Sequence, residues 1–155
     1  MKFEININGE MKLIEANARD ILLDVLRSEG YFGVKRGCSE GSCGSCIILL
    51  DGLPRKCCIM FVGQAHEKSI TTIEGLGDRE NPHPIQDAFV NNGAAQCGYC
   101  IPGMILSASS LLENNKAPTV NEIKESLAGN LCRCTGYVKQ IEAVQNAAAV
   151  MRGEN

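Results

Sequence analysis

The 155-residue sequence lacks the features that would assign it to several common classes of protein. Its net charge is only −3, which argues against nucleic acid or an acidic membrane surface as a partner. No apolar run approaches the roughly 20 residues that a membrane-spanning helix needs. The N-terminus alternates apolar and polar residues and lacks the apolar core of a secretion signal, so we expect a cytoplasmic location.

The sequence also has little with which to perform chemistry on a substrate. It shows no paired nucleophile and base, no phosphate-binding glycine loop and no pair of carboxylates suited to acid–base work. His66 and His83 are its only histidines, and neither lies in the cysteine-rich motif that a histidine-ligated cluster requires. We therefore expect no catalytic residue in this chain.

Cysteine, by contrast, is abundant, with 9 residues in the chain. In a reducing compartment thiols do not persist as structural disulfides, so clustered cysteines there usually bind metal or perform redox chemistry. Metal binding is therefore the leading interpretation before any motif is considered.

The first half of the chain has the pattern of a small mixed sheet. Alternating apolar residues flank a hairpin turn at Asn8-Gly9, and further strands are predicted at 46–50, 55–59 and 69–73. A short helix with Ile21 on its apolar face precedes the glycine- and cysteine-rich segment 37–46.

The second half changes to a helical period after a segment rich in glycine, proline and charge (74–84), which predicts a linker. Four helices are expected: around 85–90, after Pro102, behind a capping box at Thr119, and from Val138 onward. The predicted fold class is α+β, with a plant-type ferredoxin-like (β-grasp) domain at 1–76 and a four-helix bundle domain at 77–155.

Cys38, Cys43 and Cys46 are spaced C-x4-C-x2-C, the plant-type ferredoxin pattern for three ligands of a [2Fe–2S] cluster. The segment 37–46 consists only of Cys, Gly, Ser and Glu, so its backbone can wrap closely and turn N–H groups toward sulfur. The fourth ligand is either Cys57 or Cys58 on the returning arm of the next hairpin. Neighbouring strand residues point to opposite faces, so only one of the two is expected to face the loop.

A second group consists of a CxxC at Cys97 and Cys100 and a CxC at Cys132 and Cys134. Two predicted helices join the pairs, and an antiparallel helix pair would bring its ends together. Thiolates just before helix N-termini are stabilised by the free N–H groups there. Zinc is the rival ligand, because four cysteines also bind it tetrahedrally, although a tight CxC is less usual in zinc sites.

With both groups considered, the sequence closely resembles the small iron–sulfur subunit of the molybdenum hydroxylases, the xanthine dehydrogenase family. Similar subunits occur in nicotinate dehydrogenase, carbon monoxide dehydrogenase and aldehyde oxidoreductase. The resemblance covers nearly the whole chain and is carried by four ordered motifs: GCSEGSCGSC at 37–46, the cysteine that follows Cys46 after eleven intervening residues, QCGYCIPGM at 96–104 and GNLCRCTGY at 129–137.

The resemblance implies that Cys58 rather than Cys57 completes the first cluster. It also implies that Cys97, Cys100, Cys132 and Cys134 hold a second [2Fe–2S] cluster and not zinc. Cys57 departs from the family pattern, which commonly has a small non-ligating residue at that position.

The family's activity implies large and medium partner subunits in a hetero-oligomer. The large subunit would hold molybdopterin and hydroxylate an aldehyde or N-heterocycle with oxygen from water. Electrons would leave one at a time through the helical-domain cluster, then the ferredoxin-like cluster, then FAD on the medium subunit or another acceptor. Gln96 and Cys134 are expected to contact the pterin, Gln96 by side-chain hydrogen bonding, although without the family Gln96 would be assigned as a polar loop residue.

Two other functions fit the cysteine groups. A freestanding two-cluster ferredoxin would diffuse between enzymes, but such carriers are usually very acidic, and −3 is mild. A zinc-stabilised binding module would have no redox role, and it would be colourless and free of acid-labile sulfide.

Overall fold

The computed structural model describes residues 1–154, and its N-terminal half is a five-stranded mixed sheet in the order β2-β1-β5-β3-β4. The strands span Lys2–Ile7 (β1), Glu10–Glu15 (β2), Ile47–Leu50 (β3), Leu53–Lys56 (β4) and Ser69–Thr71 (β5). β1 runs parallel to β5, and the other pairings are antiparallel. The first helix, α1 at Leu22–Ser28, buries its apolar side chains in the core that this sheet forms.

Both hairpin turns have the geometry expected of their sequences. Asn8 and Gly9 adopt φ values of 55° and 87°, and Asp51 and Gly52 adopt 50° and 79°. Two successive residues in the left-handed region match the twist of antiparallel strands, which is why Asn-Gly and Asp-Gly favour this turn. The hairpin predicted at Asn8-Gly9 is therefore confirmed, and Asp51-Gly52 forms the same kind of turn between β3 and β4.

Three local predictions need correction. The strand expected at 55–59 ends at Lys56, and Cys57–Ile59 form a 3-10 turn. The strand expected at 69–73 ends at Thr71, and the start of the predicted linker is instead a helical turn, α2, at Ile73–Leu76. Each strand ends where the chain turns to bury a side chain: Cys57 enters the core under the sheet, and Ile73 packs against the helical core.

The C-terminal half contains four longer helices, as predicted: Pro84–Asn91 (α3), Ile101–Asn114 (α4), Val120–Leu127 (α5) and Val138–Met151 (α6). α5 begins at a complete capping box, in which Thr119 Oγ1 accepts from the Glu122 N–H and the Glu122 carboxylate accepts from the Thr119 N–H. Together with the sheet, these helices confirm the α+β fold class. The boundary between the domains at 76 and 77 stays a prediction.

The two halves pack directly on one another. A small apolar cluster joins Ile47 and Leu49 of β3 to Leu106 of α4, and each of these side chains is at least 93% buried. Across residues 1–154, none of the helices has the length and apolar character needed to cross a membrane. The packing places the loop before β3 beside the loops that flank α4 and α6.

Candidate metal centres

The first cysteine group lies in the loop that leads into β3. Cys46 is 2% exposed, whereas Cys38 and Cys43 are partly exposed. The Cys43 N–H points at Cys38 Sγ, with the nitrogen 3.5 Å from the sulfur. A Cβ atom on Gly37 would lie 2.9 Å from Cys43 Sγ, so only glycine lets the backbone approach this sulfur so closely. The loop therefore has the wrapped form that its composition predicts.

Cys57 and Cys58 are both buried, but their sulfur atoms have different partners. Cys57 Sγ donates a hydrogen bond to the Cys46 carbonyl oxygen at 3.0 Å. The pKa of Cys58 responds to the backbone N–H of Gly41, inside the cysteine loop, and to the thiols of Cys46 and Cys38. The 3-10 turn thus separates the two side chains as a strand would have done, and Cys58 faces the loop.

Hydrogen bonds prepare two thiols of this loop as thiolates. Backbone N–H groups of Cys43 and Glu40 lower the pKa of Cys38 to about 5. The neighbouring Cys57 side chain, together with the N–H and side chain of Cys58, lowers the pKa of Cys46 to about 6, against the effect of burial. Burial raises the pKa of Cys58 to about 11. Thiolates are the form that binds metal, so N–H groups aimed at sulfur favour binding of a cationic iron centre.

The second cysteine group is assembled from two loops that α4 and α5 bring together. Cys97 and Cys134 are exposed, Cys132 is partly exposed and Cys100 is buried. The cysteines of one loop influence the pKa of those on the other, Cys97 that of Cys134 and Cys132 that of Cys100. Four thiols brought together in this way could bind the two irons of a [2Fe–2S] cluster.

Helix N-termini are expected to lower the pKa of nearby thiols, but at this site burial and neighbouring thiols have the larger effect. Cys100 caps α4, yet burial and the neighbouring Cys132 raise its pKa to about 12. Cys134 lies four residues before Val138, where α6 begins, and its hydrogen bond with Cys97 raises its pKa. For Cys132 burial raises the pKa, but hydrogen bonds from Thr135 and the Cys134 N–H leave it below its usual value.

The donor sets of both groups fit iron–sulfur clusters. Among the described residues, no three or more His, Cys, Asp or Glu side chains are arranged to hold a single metal ion. A [2Fe–2S] cluster has a different requirement, because its four thiolates bind two irons rather than one central ion. Soft thiolate ligands and a glycine cradle at Gly37 suit that cluster.

The two groups meet through backbone atoms. The Leu131 N–H, next to Cys132, donates to the carbonyl oxygen of Cys43 at 2.8 Å. Gly44 is packed so tightly that a Cβ on it would lie 2.2 Å from the Gly129 carbonyl oxygen. One hydrogen bond therefore connects a residue of the first cysteine loop to the residue that precedes a cysteine of the second.

Sequence reasoning missed the polar residues that hold the second site. The Tyr137 hydroxyl accepts from the Cys132 N–H at 2.7 Å and donates to the Asn130 carbonyl oxygen at 3.2 Å. The Tyr99 hydroxyl donates to the Arg36 carbonyl oxygen at 2.6 Å, across the two halves. The only available signal was the position of each tyrosine beside a cysteine motif. Gln96 is exposed next to Cys97.

Two family models match the chain, and each describes a cluster-binding domain. The model for a 2Fe-2S iron-sulfur cluster binding domain matches residues 5–69, and the model for a [2Fe-2S] binding domain matches residues 72–145. Each range contains one of the two cysteine groups. The chain therefore carries two [2Fe–2S] domains.

Several oxidoreductases and their subunits are similar to this chain over at least nine-tenths of its length. The nicotinate dehydrogenase small FeS subunit of Eubacterium barkeri is 48% identical over 144 residues, which is 92% of each chain. The structure of quinoline 2-oxidoreductase from Pseudomonas putida 86 superposes with a TM-score of 0.92 at 43% identity, covering 100% of this chain and 98% of that one. Aldehyde oxidoreductase from Desulfovibrio gigas gives a TM-score of 0.96 at 42% identity, but this chain spans only 18% of it.

Proposed function

Because the chain belongs to the small iron–sulfur subunits of the xanthine dehydrogenase family, we propose that its eight motif cysteines divide into two ligand sets: Cys38, Cys43, Cys46 and Cys58 for one cluster, and Cys97, Cys100, Cys132 and Cys134 for the other. Members of this family transfer electrons within dehydrogenase and oxidoreductase complexes, and this chain is an electron-transfer subunit. Its cofactors are two [2Fe–2S] clusters. When bound, such a cluster accepts and returns one electron at a time.

The observation that best supports transfer between the two sites is the hydrogen bond from the Leu131 N–H to the Cys43 carbonyl oxygen, at 2.8 Å. Cys43 and Cys132 are in opposite ligand sets, and Leu131 precedes Cys132 in the chain. A path of covalent bonds and one hydrogen bond thus joins the two sets. An electron that follows this path does not have to cross a van der Waals contact between side chains. The tight contact at Gly44 keeps these loops in place.

We propose that the second site faces the partner subunit that carries molybdopterin. Cys97, Cys134 and Gln96 are exposed, so their side chains are free to meet another chain. Beside them, the ring of Tyr99 and the side chain of Leu131 add apolar surface. These two residues are 45% and 57% exposed. Gln96 would hydrogen-bond the pterin, and Cys134 would lie against it.

We further propose which partner subunits complete the complex. A large molybdopterin-binding subunit would hydroxylate an aldehyde or an N-heterocycle, and a medium subunit would carry FAD. Nicotinate dehydrogenase and quinoline 2-oxidoreductase support an N-heterocycle, whereas aldehyde oxidoreductase supports an aldehyde.

Native purification followed by size exclusion tests this assignment. We expect the chain to elute with larger polypeptides that contain molybdenum and flavin, and added substrate should reduce both clusters as seen by electron paramagnetic resonance. A chain that elutes alone, with both clusters intact, would contradict the proposed complex and favour a freestanding carrier. A colourless chain that contains zinc and no acid-labile sulfide would contradict the cluster assignment itself.

A further inference from the structure

Thr135 lies between the last cysteine of the second site and α6, and its hydroxyl contacts a ligand sulfur. The distance from Thr135 Oγ1 to Cys132 Sγ is 3.1 Å. Sulfur is a large acceptor, so this distance is a close contact for a hydrogen bond in which either atom is the donor. The direction of that bond can be decided from the other partners of the hydroxyl.

Two donors already point at the oxygen of Thr135. Gln140 Nε2 donates to Oγ1 at 2.7 Å, and the Tyr137 N–H donates to it at 3.3 Å. A hydroxyl group has one proton and two acceptor positions. With both acceptor positions filled, its own proton is left for the sulfur of Cys132.

Gln140 fixes this arrangement from a buried position in α6. It is fully buried, and Nε2 also donates to the Ala94 carbonyl oxygen at 2.9 Å. A carbonyl oxygen only accepts, so the amide must turn its nitrogen toward both Ala94 and Thr135. Within residues 1–154, Gln140 Oε1 is the one buried side-chain polar atom without a partner. An unpaired buried oxygen is unfavourable, which indicates that the side chain is held in place by its two donated hydrogen bonds.

We propose that the Thr135 hydroxyl donates a hydrogen bond to the Cys132 sulfur and thereby raises the reduction potential of the second cluster, with Gln140 as the positioning residue. The inference rests on the proposed ligand set, because it requires Cys132 to bind iron. Reduction adds negative charge, and a donor at a ligand sulfur stabilises that charge. The backbone N–H groups of Cys134 and Thr135 also point at this sulfur and remain in any side-chain variant.

The test is a redox titration of the holoprotein in its complex, followed by electron paramagnetic resonance of each cluster. Thr135→Val keeps the shape of the side chain but removes the hydroxyl, whereas Thr135→Ser keeps the hydroxyl. At the potential that half-reduces the second cluster of the unaltered protein, we expect the ratio of reduced to oxidised cluster in Thr135→Val to fall about threefold to tenfold; tenfold corresponds to about 59 mV for one electron. The first cluster is the internal reference and should not move.

Gln140→Leu provides a second variant that leaves Thr135 and every cysteine in place. Its second cluster should shift in the same direction by a smaller factor, and Thr135→Val should add little to it. Thr119→Val is the matched control, because it removes a threonine hydroxyl that caps α5 and so lowers stability away from both sites. It should leave both potentials unchanged.

The proposal is overturned if Thr135→Val and Thr135→Ser titrate alike, or if both clusters shift together. If Thr135→Val does not retain the second cluster, Gln140→Leu decides the matter: an unchanged ratio in that variant contradicts the hydrogen bond. Failure of the ligand set is distinguishable, because Cys132→Ser would then leave both cluster signals intact.

Discussion

The two cysteine groups differ in how the chain brings four thiols together. In the first, three cysteines lie within one ten-residue loop, and the fourth comes from a turn at the end of the adjacent hairpin. In the second, two pairs lie on separate loops, and α4 and α5 connect them. The first site depends mainly on local backbone geometry, whereas the second exists only if the helices pack correctly.

The two sites also differ in exposure. Cys46 and Cys58 are 2% and 4% exposed, while Cys97 and Cys134 are open to solvent. Buried ligands shield a cluster from water, and exposed ligands let a partner approach; in the first set no proposed ligand is fully exposed, whereas in the second two are. The exposure of Cys97 and Cys134 supports the proposal that the helical half meets the partner subunit. The following experiments test whether the two sites differ as described.

Replacing one ligand in each site should give the largest effect. Cys43→Ser should remove the signals of one cluster in electron paramagnetic resonance and leave the other, with loss of about half of the bound iron. Cys100→Ser should remove the complementary set of signals. Signals that vanish together in either variant would contradict two independent sites, and signals that all persist would contradict the ligand assignment.

The adjacent cysteines Cys57 and Cys58 should respond differently to replacement. Cys58→Ser should cost the first cluster, because Cys58 faces the loop and its pKa responds to the thiols of Cys46 and Cys38. Cys57→Ala should retain both clusters, because Cys57 Sγ is committed to the Cys46 carbonyl oxygen. Iron and sulfide analysis with absorption spectra decides between them. If Cys57→Ala loses the first cluster, the two residues have been assigned in the wrong order.

Gly44→Ala should disturb the contact between the halves. Gly44 has a φ of 76°, and its Cβ would meet the Gly129 carbonyl oxygen at 2.2 Å. We expect about 1–2 kcal/mol for the left-handed backbone and about 1–3 kcal/mol for the clash. Gly52→Ala is the control, because Gly52 has a φ of 79° and nothing within 4 Å of its Cβ, so it isolates the backbone contribution. Denaturant unfolding measures both, and equal losses would contradict a close contact at Gly44.

Tyr99→Phe should give the smallest effect. It removes the hydrogen bond from the Tyr99 hydroxyl to the Arg36 carbonyl oxygen, which is exposed. We expect the free energy of unfolding to fall by about 0.5–1.5 kcal/mol, with both cluster spectra unchanged. A change in either spectrum would show that this bond shapes a metal site and does more than join the halves.

The difference between the sites also explains what the sequence could predict. The loop containing Cys38, Cys43 and Cys46 is recognisable because its spacing and its small residues are local properties of the chain. The predicted ends of β4 and β5 were wrong, because the burial of Cys57 and Ile73 depends on contacts with residues distant in sequence. The hydrogen bonds of Thr135 and Gln140 were missed for the same reason, because no local pattern links a helix residue to Ala94.

The contact of Gly44 with Gly129 has a consequence for exchanging parts between relatives. Because these two backbone segments touch so closely and the Leu131 N–H is bonded to Cys43, neither segment can change its conformation without the other. Chimeras that join the sheet half of one homologue to the helical half of another should work only when residues 43–44 and 129–131 are transplanted together. The iron-binding halves are separate in sequence, but this contact makes them one unit for any such exchange.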